Sequence, residues 1–160
     1  MENIKVGMAD WAVCKAPQKL VTTGLGSCVG ICLADSLIKI CGLAHIMLPD
    51  SAQARNNQNR AKYADTAITD MIAKMVSLGA DEHRITAKIA GGAQMFNFAG
   101  TSSIMRIGER NVEAVKTKLS SHKIKIIAED TGGNFGRTIT FNPDNGELHI
   151  KTINKGEKIV

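Results

Sequence analysis

Cys28-Val29-Gly30-Ile31-Cys32-Leu33-Ala34-Asp35 is almost wholly apolar, and after Ser36-Leu37 a second β-rich run follows over residues 38–47. An apolar run of this length bounded by polar residues is the pattern of a strand buried on both faces. Two such runs joined by two residues predict an antiparallel hairpin, although Ser36-Leu37 lacks Asn-Gly turn chemistry. With that two-residue loop Asp35 opposes Ile38, and the numbers of paired positions sum to 73. Cys28 then lies directly across from His45. Opposed residues share a face with Cβ atoms about 4.5–5.5 Å apart. A one-residue slip would separate them to opposite faces.

Upstream of the hairpin runs Thr22-Thr23-Gly24-Leu25-Gly26-Ser27-Cys28-Val29-Gly30, with His45 seventeen residues beyond the cysteine. A thiol becomes a strong nucleophile as thiolate, and an adjacent imidazole is a common route to it. A glycine-rich turn beside the thiol leaves backbone N–H groups free for a developing oxyanion; Gly26 and Ser27 are the candidates, together with the amide of Cys28. A base works best when a third group orients its ring. Thr22 could do so through its hydroxyl or its carbonyl, with Asp50 close behind and Asp35 further away on the hairpin. A cysteine on an apolar strand is ordinarily packing. The glycine-rich turn and the facing histidine weigh equally on the other side, so the residues alone leave both readings standing.

The rest of the chain alternates strand and helix signals. Residues 2–8, 11–15 and 20–23 read as short strands, and residues 51–62 as an exposed polar loop. From Tyr63 the apolar positions Ala64, Ala67/Ile68, Met71/Ile72 and Met75/Val76 recur at helical spacing, with Gly79 placed to end the helix. Residues 85–90 and 124–129 read as strands, and residues 108–119 as a second amphipathic helix. Residues 137–141 and 147–152 flank Asn142-Pro143-Asp144-Asn145-Gly146, a loop with strong turn chemistry. Residues 154–160 are polar and read as a loose tail. Many strands and two helices predict an α+β or mixed α/β domain over residues 1–160.

Composition narrows the function. Hydrophobic residues make up 44% and charged residues 22% of the 160, as in an ordinary globular domain. No apolar run approaches the roughly 20 residues that span a bilayer. The N-terminus lacks a basic start and long apolar stretch, which predicts a cytoplasmic location. Of four cysteines, Cys14, Cys32 and Cys41 read as small buried apolar residues, with no second Cys/His pair at zinc spacing. A net charge of +5 with dispersed Lys/Arg and six aromatics outside any basic cluster argues against nucleic acid and for acidic protein partners. Gly24-Leu25-Gly26 precedes a β-rich run and no Gly-Lys-Ser/Thr follows, which excludes a phosphate loop. His83, His122 and His149 lie in polar surroundings and read as solvated residues. Gly91-Gly92 and Gly132-Gly133 mark turns or close backbone approaches.

Thr22-Thr23-Gly24-Leu25-Gly26-Ser27-Cys28-Val29 and Gly42-Leu43-Ala44-His45-Ile46-Met47-Leu48-Pro49 resemble the chemoreceptor glutamine deamidases of the CheD family. The resemblance continues through Lys62-Tyr63-Ala64-Asp65, Ala87-Lys88-Ile89-Ala90-Gly91-Gly92-Ala93 and Ile107-Gly108-Glu109-Arg110-Asn111. It resumes in Asp130-Thr131-Gly132-Gly133 and Gly136-Arg137. It implies Cys28 as nucleophile, His45 as general base and Thr22 as the residue completing the triad, with no metal or cofactor. It implies an α+β fold of packed mixed β-sheets flanked by helices, like the catalytic domain of cytotoxic necrotizing factor toxins. The implied substrates are glutamines in the cytoplasmic helices of methyl-accepting chemotaxis receptors, and the implied partner is a CheY-phosphate phosphatase of the CheC type. The same chemistry would also suit glutamyl methyl esters. The rival reading is a non-catalytic regulatory module that binds receptors and such a phosphatase.

Overall fold

The computed structural model describes residues 3–53, 59–95 and 106–160. Residue 2 of the first predicted strand and residues 54–58 of the predicted loop lie outside them.

β4 (Val29–Asp35) and β5 (Ile40–Ile46) form the predicted hairpin, but its connection is residues 36–39 rather than two residues. Asp35 causes the difference. Its Oδ1 accepts the Leu37 backbone N–H at 3.2 Å, an Asx-type turn that withdraws Leu37 from the ladder, and Lys39 closes the loop at φ +55. Gly30, not Cys28, is therefore the partner of His45, and paired numbers sum to 75. The shift is two residues, so side-chain parity survives. Cys28 remains on the His45 face, one pleat further along the strand.

The other strands are β1 (Asn3–Lys5), β2 (Asp10–Lys15), β3 (Lys19–Leu25), β6 (Thr86–Gly91), β7 (Lys125–Thr131), β8 (Arg137–Asn142), β9 (Glu147–Thr152) and β10 (Gly156–Ile159). They make two mixed five-stranded sheets, ordered β1-β3-β8-β9-β10 and β2-β5-β4-β6-β7. Where residues 154–160 read as a tail, β10 adds an antiparallel edge strand to β9. The helices α1 (Ala64–Ser77) and α2 (Ile107–Ser121) cover the second sheet. The fold is α+β, with packed mixed sheets and helices outside. No helix among the described residues is long and apolar enough to cross a membrane.

The middle sheet is covered on both faces, which is why β5 is buried throughout and β4 nearly so. Val29, Ile31, Leu33, Ala44 and Ile46 join Ala67, Ile68, Met71 and Val115 in a core between sheet and helices. Cys28, Cys32, Cys41 and Leu43 turn the other way, joining Leu20, Leu25, Ile139 and Phe141 between the two sheets. Cys14, Cys32 and Cys41 are buried there as predicted.

One buried charge anchors the far end of β4. The fully buried Asp35 accepts Arg84 Nη2 at 2.8 Å, Arg84 Nε at 3.0 Å and the Asp81 N–H at 2.9 Å. Burial alone would raise this carboxyl, but the hydrogen bonds from Arg84, Asp81 and Leu37 and the Arg84 charge outweigh it and hold it below its ordinary value. A depressed carboxyl contributes stability above the ordinary value near 3.8, and that stability is lost as pH falls through the folded value. Arg84→Met strands the carboxylate, and we expect it to lower stability near neutral pH. Protonation relieves a stranded carboxylate, so urea denaturation at about pH 7 and about pH 4 should show the deficit shrinking in acid.

Candidate functional site

Thr22, Cys28 and His45 come from three different segments and are buried in the gap between the sheets, where Thr22 and His45 touch. Thr22 lies on β3, in the first sheet, two residues from Leu20 and on the same face. The β3–β8 pairing shifts between Thr22 and Leu25, and Gly24 sits at φ +74 within that irregularity. A bulge resets side-chain parity, so both Thr22 and Leu25 point inward. His45 reaches the same gap from β5. All three residues are buried, with relative exposures of 2% for Thr22, 8% for Cys28 and 0% for His45.

It is the Thr22 hydroxyl, not its carbonyl, that meets the ring. Thr22 Oγ1 lies 2.7 Å from His45 Nδ1 and 2.7 Å from the Val6 carbonyl. A hydroxyl has one proton, and a carbonyl can only accept. Thr22 therefore donates to Val6 O and accepts from His45, which places the ring proton on Nδ1. Nε2 is left with its lone pair, sealed from solvent and without a hydrogen-bond partner among the described residues. The competing orienters are engaged elsewhere: Asp35 with Arg84, and Asp50 with the Ala52 N–H at 2.8 Å.

Cys28 Sγ makes no hydrogen bond to Nε2 in this structure. Burial pushes the Cys28 thiol up, its own backbone N–H pulling the other way. Burial pushes His45 down from 6.5. Both shifts favour the uncharged thiol and imidazole at rest. Cys32, also facing this gap, is pushed far up by complete burial, which leaves it inert. His122 and His149 pair with Glu82 and Glu147 away from the gap, and His83 is exposed.

The turn before Cys28 is pinned by its carbonyls. Gly26 O accepts the Ala93 N–H at 2.8 Å, and Cys28 O accepts the Gly92 N–H at 2.9 Å. Gly91 permits this approach, since a Cβ there would stand 2.3 Å from Cys28 O. Of the predicted oxyanion donors, the Gly26 N–H is already spent on Gly24 O at 3.1 Å. Those of Ser27 and Cys28 donate to no other backbone carbonyl among the described residues. Sequence reasoning missed three contributors: the Val6 carbonyl, the Gly92–Ala93 amides, and Asn111 on α2, whose Nδ2 bonds Ser27 O and Met47 O at 3.0 Å each. Asn111 did leave a signal. It is a polar residue on the buried stripe that also carries Gly108, Val115 and Leu119.

Fold and site define an α+β protein that sets a cysteine, a histidine and a threonine in the gap between two mixed sheets. The family model described as CheD chemotactic sensory transduction matches residues 47–152, beginning just beyond His45. The probable chemoreceptor glutamine deamidase CheD of Syntrophomonas wolfei subsp. wolfei is 57% identical over 157 residues, covering 98% of each chain. The chemoreceptor glutamine deamidase CheD of Halalkalibacterium halodurans is 54% identical over 156 residues, covering 97% of this chain and 96% of its own. The chain belongs to the CheD family.

Thr22→Val keeps shape but removes the hydroxyl, leaving His45 Nδ1 and Val6 O unpaired in a dry interior. Each orphaned group costs about 1–3 kcal/mol. We expect Thr22→Val to lose about 3 kcal/mol in chemical denaturation and Thr22→Ser to recover most of it.

Proposed function

We propose that this protein is a chemoreceptor glutamine deamidase, a hydrolase that uses Cys28 as nucleophile and His45 as general base. The observation that carries the reading is the Val6–Thr22–His45 relay, which leaves an unprotonated Nε2 on the face that bears Cys28. The names of the family relatives supply the substrate class.

In this reading the glutamine carboxamide enters beside Sγ. Nε2 takes the thiol proton as Sγ bonds to the carboxamide carbon. The carbonyl oxygen becomes an oxyanion facing the Ser27 and Cys28 N–H groups. The imidazolium returns the proton to the nitrogen, the C–N bond breaks, and ammonia departs from a thioester. Nε2 then deprotonates a water that attacks the thioester, and the glutamate carboxyl and the Cys28 thiol are released. Because thiol and imidazole are both neutral at rest, His45 works at the moment of attack rather than by maintaining a standing ion pair.

The chain acts as one deamidase domain in the cytoplasm, where the receptor helices lie. A phosphatase of the CheC type is its regulatory partner. The +5 net charge suits acidic protein surfaces of this kind.

The test is incubation with a receptor cytoplasmic fragment, followed by peptide mass spectrometry for site-specific Gln-to-Glu conversion. Cys28→Ala should abolish conversion, and His45→Ala should lower turnover by about 10²–10⁴-fold. The acid limb of kcat/KM should fall below the ordinary imidazole value of 6.5, since burial depresses His45. Full conversion by Cys28→Ala would refute the nucleophile, and a normal rate for His45→Ala would refute the base.

A further inference from the structure

We infer that Asn111 is a positioning residue, which turns the Ser27–Cys28 peptide so that its N–H faces the oxyanion. This deepens the deamidase reading and rests on it.

In a trans peptide the C=O and N–H point in opposite directions. Fixing a carbonyl therefore aims the next residue's N–H. The Gly26 carbonyl is held by the Ala93 N–H at 2.8 Å, which aims the Ser27 N–H away from that scaffold. No backbone donor among the described residues holds the next carbonyl. Ser27 O is held by a side chain, Asn111 Nδ2, at 3.0 Å, and this bond aims the Cys28 N–H. The Cys28 carbonyl is then held by the Gly92 N–H at 2.9 Å. Three successive carbonyls thus face the scaffold, and the N–H groups of Ser27 and Cys28 face the other way.

The orientation of the amide follows from chemistry. Both partners of the Asn111 nitrogen are carbonyls, so that atom must be the NH2 group. Its second proton goes to Met47 O, also at 3.0 Å, two residues beyond His45. One side chain therefore joins the segment carrying the thiol to the strand carrying the imidazole. Asn111 Oδ1 is buried and has no partner among the described residues, so the two donated bonds alone set the side chain. α2 comes close enough because residue 108 lacks a side chain: a Cβ there would lie 2.4 Å from Ala93 O and 2.6 Å from Gly92 O.

Deamidation and alkylation separate this role from a general structural one. Alkylation of Cys28 by iodoacetamide needs the thiolate but forms no oxyanion, whereas deamidation needs both. We expect Asn111→Ala to lower kcat on a receptor fragment by roughly 10- to 100-fold. KM and the pH profile of Cys28 alkylation should stay within about 3-fold of the parent. Asn111→Ser, which keeps one donor, should fall between the two, and it carries the test by the same criteria if Asn111→Ala does not fold. The inference is overturned if kcat of the folded variant stays within about 3-fold of the parent, or if alkylation and kcat fall by the same factor. A parent protein that converts no receptor glutamine would sink the deamidase reading and this inference with it. An active parent with an equally active Asn111→Ala would sink this inference alone.

Discussion

A threonine hydroxyl has one proton to give, and in this fold the Val6 carbonyl takes it. The tautomer of His45 depends on that allocation. Once Thr22 Oγ1 can only accept from the ring, His45 must keep its proton on Nδ1, and Nε2 is left basic. The usual partner for this task is a carboxylate, which also stabilises the imidazolium. A hydroxyl backed by a carbonyl fixes the tautomer without placing a negative charge in the gap. That suits a site where burial already pushes His45 down and Cys28 up. Both shifts favour two neutral groups in a dry interior.

The two-sheet architecture makes the allocation possible. Thr22 and His45 belong to different sheets, so their 2.7 Å contact crosses the interface. It depends on the bulge at Gly24, on the burial of β5 on both faces, and on the Val6 backbone, whose N–H is itself held by Val21 O at 2.8 Å. Around the cysteine the division of labour is similar. Backbone amides from the Gly92–Ala93 turn and one side-chain amide from α2 hold the carbonyls of the turn before Cys28. The fold thus supplies these carbonyls with donors from one side of the turn.

Much of this was legible in the sequence, because side-chain parity is a robust property. The apolar run in β4 marked a strand covered on both faces, and a register shift of two residues still leaves Cys28 and His45 on one side of it. The particular register was not legible. It turned on the Asp35 carboxylate taking the Leu37 N–H, a local competition between side chain and backbone that no hydrophobic pattern records. The end of the chain misled for a different reason: β10 is exposed along its length, so pairing with β9 left no apolar signature. Thr22 could be placed near the histidine, yet the choice of hydroxyl over carbonyl required Val6, which is remote in sequence and contributes only backbone. Gly26 was read as an oxyanion donor from composition, and its N–H proved to be taken by Gly24. Asn111 was visible as a polar intrusion on an apolar helix stripe, but its partners were carbonyls from two other segments, which a linear pattern cannot name.

The central claim concerns a single proton, and nitrogen NMR of the His45 imidazole reads it directly. In protein labelled with ¹⁵N at histidine, near neutral pH and without substrate, the account predicts a protonated Nδ1 and a bare Nε2, with the Nδ1 proton shifted by its bond to Thr22. A ring protonated on Nε2 in the folded protein would mean that Thr22 donates to the histidine, that Val6 O goes unserved, and that the base proposed for Cys28 does not exist.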